Sequence, residues 1–596
     1  MLARSWPLLA TLLLTAGAVS AQPPAAPDPG LPKVVLIGDS IRQGYAPFVA
    51  KRLEGKAIVF NPEKNGGDSN SVRAHVDEWM IDQKPAVIHF NAGLHDLRFT
   101  KETGRHQVEV DAYAVALRQI VDRLRKETTA GVVFANITPV IDERYNRKPD
   151  QMVTRHQADV LKYNAASEQV MRESGVPVND LHWVVEQGGT AELLGGDGVH
   201  FTRVGYERLA EAVADSILRQ LAIVQFPGTL PQPGTPEDTK RYQQAEAERD
   251  ALVPEAFKKL PVPAFPVPVS TAEWSTRRPE VLKIVRDSLG DQPPRPDPKM
   301  ARLVTRELRP GYILERVTIP NGIDGEVTAI VLVPEKRKSP APAVLWLHSS
   351  TPDKNGVLAP NQNGGAEPLG EVLVKKGYIV MAPDACWYGD RSQQAPTSRD
   401  EYYRRGDGTS FRTAQDVLHK YHTLFGRTLW GMFVRDDQIA LDYLANRPEV
   451  DKTRIGATGI SMGSTRTWWL AAVDERIAAA AGVACMTRYQ NLIAHGELRS
   501  HGVYYFGQGL LKHFDTEGVF ALVAPRPLLM LTGDLDRGSP VDGVRDLERE
   551  VTRVYDAIGA KERFRNVIYP DTGHVYTEQM RAEVLGWFDR WLTPEK

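Results

Sequence analysis

Cysteine is nearly absent. Cys386 and Cys485 are the two in 596 residues, too few to staple a chain this large. Both follow predicted strands in the same half of the chain, so two buried free thiols and one disulfide are both open readings. No Cys/His cluster has zinc-ligand spacing, and the residues imply neither metal nor cofactor. An excess of one charge is also missing. Lys and Arg total 73 against 75 Asp and Glu, a net charge of −2, which leaves no footprint for nucleic acid or an anionic membrane. Long apolar runs are lacking too. The mostly apolar run Leu8–Leu14 falls well short of the roughly 20 residues that span a bilayer. With Arg4 before it and Val19-Ser20-Ala21 after it, the run reads as a secretory signal over residues 1–21. The expectation is an exported protein, periplasmic or extracellular, with no membrane association after signal cleavage.

Proline, by contrast, is plentiful and uneven. It punctuates residues 23–32 and again the stretch 224–268, where Phe226–Gly234 and Leu260–Pro266 flank a charged helical piece, Pro236–Leu252. That shift in character predicts a connector between two tethered, separately folded units, residues 30–223 and 269–596. A chain of this length exceeds one hydrophobic core in any case. In both units short apolar runs alternate with helical spacing, which predicts α/β architecture with mainly parallel sheets covered on both faces. In the first unit Val115, Leu117, Ile120, Val121 and Leu124 are spaced as one helix face. In the second, a helical lead-in is expected from Ser270 to about Arg306, then a strand over Glu326–Val333.

Chemistry-bearing residues stand at strand ends. In the first unit Lys33–Ile37 reads as a buried strand ending in Gly38-Asp39-Ser40. A serine just past a parallel strand is where open α/β sheets place their chemistry. Asn65-Gly66-Gly67-Asp68-Ser69 is a glycine-rich loop, Asn91-Ala92-Gly93-Leu94-His95-Asp96 follows another buried strand, and Asp197-Gly198-Val199-His200 precedes a helix. An Asp and a His three apart on one turn let the carboxylate fix the imidazole tautomer while the other ring nitrogen reaches a serine. These four blocks, in this order, resemble the SGNH (GDSL) hydrolases and cover the whole unit. The resemblance implies a three-layer α/β/α sheet, Ser40 as nucleophile, His200 as base and Asp197 as its orienter. It also implies oxyanion donors at the amides of Ser40 and Gly67. One block departs from the family: His95 occupies the slot of its asparagine donor. A neutral imidazole N–H can fill that role, and Asn91 is the alternative.

In the second unit Gly459-Ile460-Ser461-Met462-Gly463 lies between the strand-like run Arg454–Thr458 and the helix-compatible run Ser464–Val473. Strand, sharp turn and helix make a nucleophile elbow, which lifts Ser461 to the sheet edge and aims the Met462 amide at developing negative charge. Downstream stand Asp534 and Asp536 at one predicted strand end, and His574 in a loop before the last helix. Serine, acid, histidine is the order of the α/β-hydrolases. This half resembles their acetyl xylan esterase and dienelactone hydrolase branch. The resemblance favours Asp536 over Asp534 as the acid, makes His574 the base, and puts a further oxyanion donor at the Ser349 amide beside a structural His348. Glucuronoyl esterases carry an Arg directly after the nucleophile, where this chain has Met462. The aromatics Trp387, Tyr388, Tyr402, Tyr403, Phe411, Tyr421 and Trp430 can stack on sugars or pack as a lid. Trp468 and Trp469 are expected in the core.

The functional expectation is a tandem serine esterase acting on an ester-bearing small molecule or polysaccharide, with acetylated xylan or pectin the favoured polymer by analogy. The alternatives are a first unit that only binds carbohydrate, a second unit of the prolyl-oligopeptidase type, and an esterase for polyesters or xenobiotics.

Overall fold

Valine, isoleucine and phenylalanine dominate the short apolar runs of the first half, and these runs become its strands. The computed structural model describes residues 30–148, 150–224, 254–258, 261–323, 325–350, 353–359, 367–391 and 411–593. The expected signal segment, the helical piece Pro236–Leu252, Tyr402 and Tyr403 lie outside the described residues.

In the first half β1 (Lys33–Ile37), β2 (Ile58–Phe60), β3 (Val87–Asn91), β4 (Gly131–Ala135) and β5 (Val178–Asn179) pair in parallel in the order β2-β1-β3-β4-β5. Each residue of β3 is buried because helices cover both sides: α1 (Ser40–Arg52), α2 (Val110–Glu127), α3 (Gln157–Glu173) and α4 (Arg203–Val224). The strand order reverses between β1 and β3, and the crevice at their carboxyl ends is the site such sheets offer to ligands. Helix α2 buries Tyr113, Leu117, Ile120, Val121 and Leu124. Val115 does not join them and is 53% exposed. Two residues along a helix is about half a turn, so Val115 points away from the face of Leu117.

In the second half β6 (Arg302–Arg309), β7 (Tyr312–Pro320), β8 (Glu326–Pro334), β9 (Ala341–Leu347), β10 (Ile379–Pro383), β11 (Val450–Ile460), β12 (Ile477–Val483), β13 (Leu528–Gly533) and β14 (Phe564–Tyr569) follow. From β10 outward the order is β10-β9-β11-β12-β13-β14 and all parallel, whereas β6, β7 and β8 pair antiparallel. Helices α5 (Thr271–Ser288), α6 (Leu429–Asn446), α7 (Met462–Val473), α8 (Val541–Ala557) and α9 (Glu578–Leu592) cover the two faces. The expected helical lead-in thus stops at Ser288, and the charged run Arg302–Arg309 is a strand.

That strand changes the organisation. Edge strand β5 of the first half pairs antiparallel with β6, Val178 opposite Leu308 and Asn179 opposite Glu307. A single 14-stranded sheet therefore runs through both halves, where the proline spacing had suggested tethered units. The cores remain distinct, one around β1–β5 and others on either face of β8–β14. At the seam Glu307, 1% exposed, accepts from Ser216 Oγ at 3.0 Å and Arg219 Nε at 3.2 Å, with Arg309 Nη2 at 3.4 Å. Arg316 of β7 bridges Glu211 at 3.2 Å and Asp215 at 3.3 Å on α4 to Asp390 at 3.2 Å in the second half.

Cys386 and Cys485 are both buried and are not joined in a disulfide. Trp468, Trp469 and Trp430 are core residues, as is Tyr388, while Tyr421 is exposed.

Candidate active sites

The first site forms where β1 hands over to α1. Gly38 allows the close approach: a Cβ there would fall 1.9 Å from Asn91 Oδ1. Asp39 caps α1, its Oδ1 accepting from the Ile41 amide at 2.9 Å, and Ser40 opens the helix. Helix α4 follows Asp197–His200 and packs against α1 and β3, which sets that turn over Ser40. His200 Nε2 lies 2.9 Å from Ser40 Oγ, and His200 Nδ1 lies 2.6 Å from Asp197 Oδ2. The carboxylate can only accept, so Nδ1 carries the hydrogen and Nε2 is left to accept from the serine hydroxyl. The other carboxylate oxygen accepts from the amides of Val199 at 3.0 Å and His200 at 2.9 Å. Partial burial works against the Asp197 charge, but these amides and the His200 imidazole outweigh it and hold the carboxyl below its usual range.

The oxyanion side is less uniform. Gly67 takes φ +69°, a left-handed conformation that favours glycine. Its amide donates to Asn65 Oδ1 at 2.9 Å, so that donor is engaged within its own loop. His95 sits half-buried beside Asp39. Burial and the neighbouring Arg155 and Arg98 lower its pKa against the pull of Asp39, which keeps a neutral imidazole able to donate. Asn91 is buried, with its Oδ1 against Gly38 and without a hydrogen-bond partner. Asp96, whose sequence context signalled only motif membership, has a structural task. It accepts from the Ser69 amide at 3.0 Å and from Ser69 Oγ, tying the glycine-rich loop to the His95 turn.

The second site forms at the end of β11. Ser461 has φ +59° and ψ −122°, and α7 starts at the next residue. Such a conformation for a residue with a side chain is strained. Gly459 and Gly463 make it possible: a Cβ on either would come within 2.3 Å and 1.9 Å, respectively, of the Leu347 carbonyl oxygen. Met462 opens α7 and is buried. His574 Nδ1 lies 2.9 Å from Asp536 Oδ1. Asp536 also accepts from the Gly538 amide at 2.8 Å and Ser539 Oγ at 3.1 Å. Burial raises its pKa, yet His574 and these donors more than offset that and leave it lowered. Asp534 instead accepts from the Thr572 amide at 3.2 Å. Of the two carboxylates the sequence offered, Asp536 is therefore the one against His574.

Around this second site His348 donates from Nδ1 to the Ser349 carbonyl at 2.6 Å and accepts at Nε2 from the Ala385 amide at 2.9 Å. Both ring nitrogens are committed to backbone, so His348 fixes the loop carrying Ser349. Two neighbours escaped the sequence reading. Cys485 Sγ lies 3.9 Å from Ser461 Oγ. His501 stacks on Tyr505 at 3.9 Å and donates to the Gly538 carbonyl at 3.2 Å, and burial beside His574 lowers its pKa to about 4. Neither belongs to a recognisable spacing; the turns after β12 and before β13 bring them in.

The model of the Abhydrolase family matches residues 239–570, over half of the chain. The chain belongs to the Abhydrolase family. The model of the GDSL-like Lipase/Acylhydrolase family matches residues 36–208. "Putative hydrolase YtaP" of Bacillus subtilis (strain 168) is 32% identical over 308 residues, 51% of this chain and 96% of that protein. Among solved structures, a glucuronoyl esterase from Solibacter usitatus is 19% identical, with TM-score 0.42 over 58% of this chain and 100% of its own. A lipase/acylhydrolase from Enterococcus faecalis is 21% identical, with TM-score 0.27 over 31% of this chain and 95% of its own. The two family matches fall on the two halves that carry Ser40 and Ser461, and the protein is a carboxylic ester hydrolase.

Proposed function

We propose that this chain is an exported esterase with two serine sites, which together deacetylate a decorated plant polysaccharide. The observation that carries the reading is the contact chain Asp197–His200–Ser40, with ring-nitrogen distances of 2.6 and 2.9 Å. At Ser461 the support is the strained elbow and the Asp536–His574 pair. In each site the serine oxygen would attack the ester carbonyl as its proton passes to histidine Nε2. The tetrahedral intermediate would expel the sugar hydroxyl, which recovers that proton, and water would then release acetate by the same route. Met462 and Ser349 are the proposed oxyanion donors of the second site, and Ser40, Gly67 and His95 those of the first. The proposed parts are a signal at 1–21, catalytic halves at 30–223 and 269–596, and a connector at 224–268.

A second reading has an observation in its favour. The Gly67 amide is already bonded to Asn65 and an imidazole stands in the asparagine slot, so the first half would bind carbohydrate without cleaving it. Ser40→Ala and Ser461→Ala variants separate the two. Acetate release from acetylated xylan and acetylated pectin is followed for each. The tandem reading expects each variant to lose part of the activity and the double variant to lose all of it. Full activity in Ser40→Ala would leave the first half as a binding module.

A further inference from the structure

Two arginines, Arg155 and Arg98, flank the His95 turn of the Ser40 site with no carboxylate in ion-pair contact among the described residues. Arg155 is held at both ends. Its amide donates to Asn146 Oδ1 at 3.1 Å, and its carbonyl accepts from Asn146 Nδ2 at 2.6 Å. Its side chain crosses the Tyr145 ring at 4.8 Å, donates from Nη1 to the Tyr145 hydroxyl and from Nε to the Leu94 carbonyl at 2.9 Å. Leu94 directly precedes His95. Tyr145 in turn abuts the triad turn, since a Cβ on Gly198 would fall 2.9 Å from the Tyr145 nitrogen. Arg155 thus lies where the oxyanion turn meets the Asp197–His200 turn, only 7% exposed. Nη2 is left without a protein partner among the described residues. Arg98 comes from the same turn as His95, its amide donating to the His95 carbonyl at 3.2 Å, and its Nε is buried with no partner.

None of the nearby carboxylates forms an ion pair with Arg155 or Arg98 among the described residues, although Asp39 keeps one buried oxygen, Oδ2, without a hydrogen-bond partner. Asp39 caps α1, Asp68 accepts from the Ser71 amide at 2.9 Å and Gln107 Nε2 at 2.7 Å, and Asp197 holds His200. A buried guanidinium without a paired anion is an unfavourable placement, and a second beside it adds repulsion. Burial and Arg98 accordingly hold Arg155 below its ordinary pKa, against the pull of Asp39 and Asp197. The planar guanidinium fork matches a carboxylate with two parallel hydrogen bonds. We propose that Arg155 and Arg98 form an anion subsite of the Ser40 site, and that it receives a substrate carboxylate. The ester cleaved there is then carried on an acidic sugar, an acylated uronic acid unit, rather than on a neutral one. The proposal rests on Ser40 acting as the nucleophile.

The test uses the full-length chain with Ser461→Ala, so that only the first site turns over. Two substrates differing in one group, O-acetylated galacturonic acid and O-acetylated galactose, are compared by kcat/KM. The parent favours the acidic substrate, and this ratio falls about ten- to a hundredfold in Arg155→Met and Arg98→Gln. Arg155→Lys keeps the charge but not the fork and falls between. Binding of galacturonate and of inorganic sulfate to the Ser40→Ala protein is measured by calorimetry, which needs no catalysis and reads the subsite even if Ser40 proves inert. The idea is overturned if the parent does not prefer the acidic sugar, or if the variants lose both substrates equally. Sulfate binding as tightly as galacturonate, or galacturonate not binding, overturns the assignment to a carboxylate. The Arg98 variant guards against a folding defect in Arg155→Met.

Discussion

At the scale of single residues, the choice between Asp534 and Asp536 shows what pairing adds to spacing. The two stand two residues apart at one strand end, and both are acids of the right kind. Only Asp536 reaches the His574 imidazole, at 2.9 Å, and it is buried among further donors. Replacing it with Asn would keep the shape but let the histidine adopt the wrong tautomer. Asp536→Asn is expected to lower kcat of the Ser461 site by about 10⁴-fold, while Asp534→Asn changes it little; both are read in a Ser40→Ala background. The serines, histidines and acids of both sites were legible in the sequence because each sits in a short motif at a strand end. Arg155, Arg98 and His501 were not, since no spacing marks them and only the meeting of separate turns gives them a neighbour in the site.

At the scale of elements, the elbow and the helices show the same residue with opposite consequences. Gly463 is the first-turn glycine of α7, and a Cβ there would sit 1.9 Å from the Leu347 carbonyl oxygen, a backbone atom at the carboxyl end of the interior strand β9. Alanine would favour the helix but cannot fit. Gly463→Ala is expected to cost about 1–3 kcal/mol or more in thermal unfolding and to abolish Ser461-dependent turnover. Gly586 lies in the interior of α9, and its added Cβ would meet nothing within 4 Å. There alanine should stabilise by about 0.5–1 kcal/mol. The elbow was legible because its glycines flank the serine at fixed spacing. The strands β6 and β7 were not. Arg302–Arg309 carries four charged side chains in eight positions, a pattern that suggests a solvated helix. It becomes a strand because Glu307 is met in the core by Arg219 and Ser216 of the other half, and no sequence window contains those partners.

At the scale of the whole molecule, that buried seam ties the two halves into one sheet and should govern acid stability. Glu307 is pushed up by burial, but Arg309, Arg219 and Ser216 more than compensate and leave its pKa lowered. Asp390, facing Lys354 and Arg316, is lowered likewise. A carboxyl with a depressed pKa binds fewer protons when folded than when unfolded. Its contribution is therefore complete above the unfolded value of about 4.3 for Glu and 3.9 for Asp, and is lost as pH falls below those values. Stability of the full chain should hold from neutral pH down to about 5 and drop steeply below 4. Glu307→Ala would leave Arg219 and Arg309 buried without their shared anion, a loss of about 3–5 kcal/mol at pH 7. The same variant should have a shallower dependence on pH below 4, because the group that titrates is gone. Denaturant unfolding at a series of pH values measures both effects. Equal slopes for parent and variant would mean that the seam does not set the acid limit.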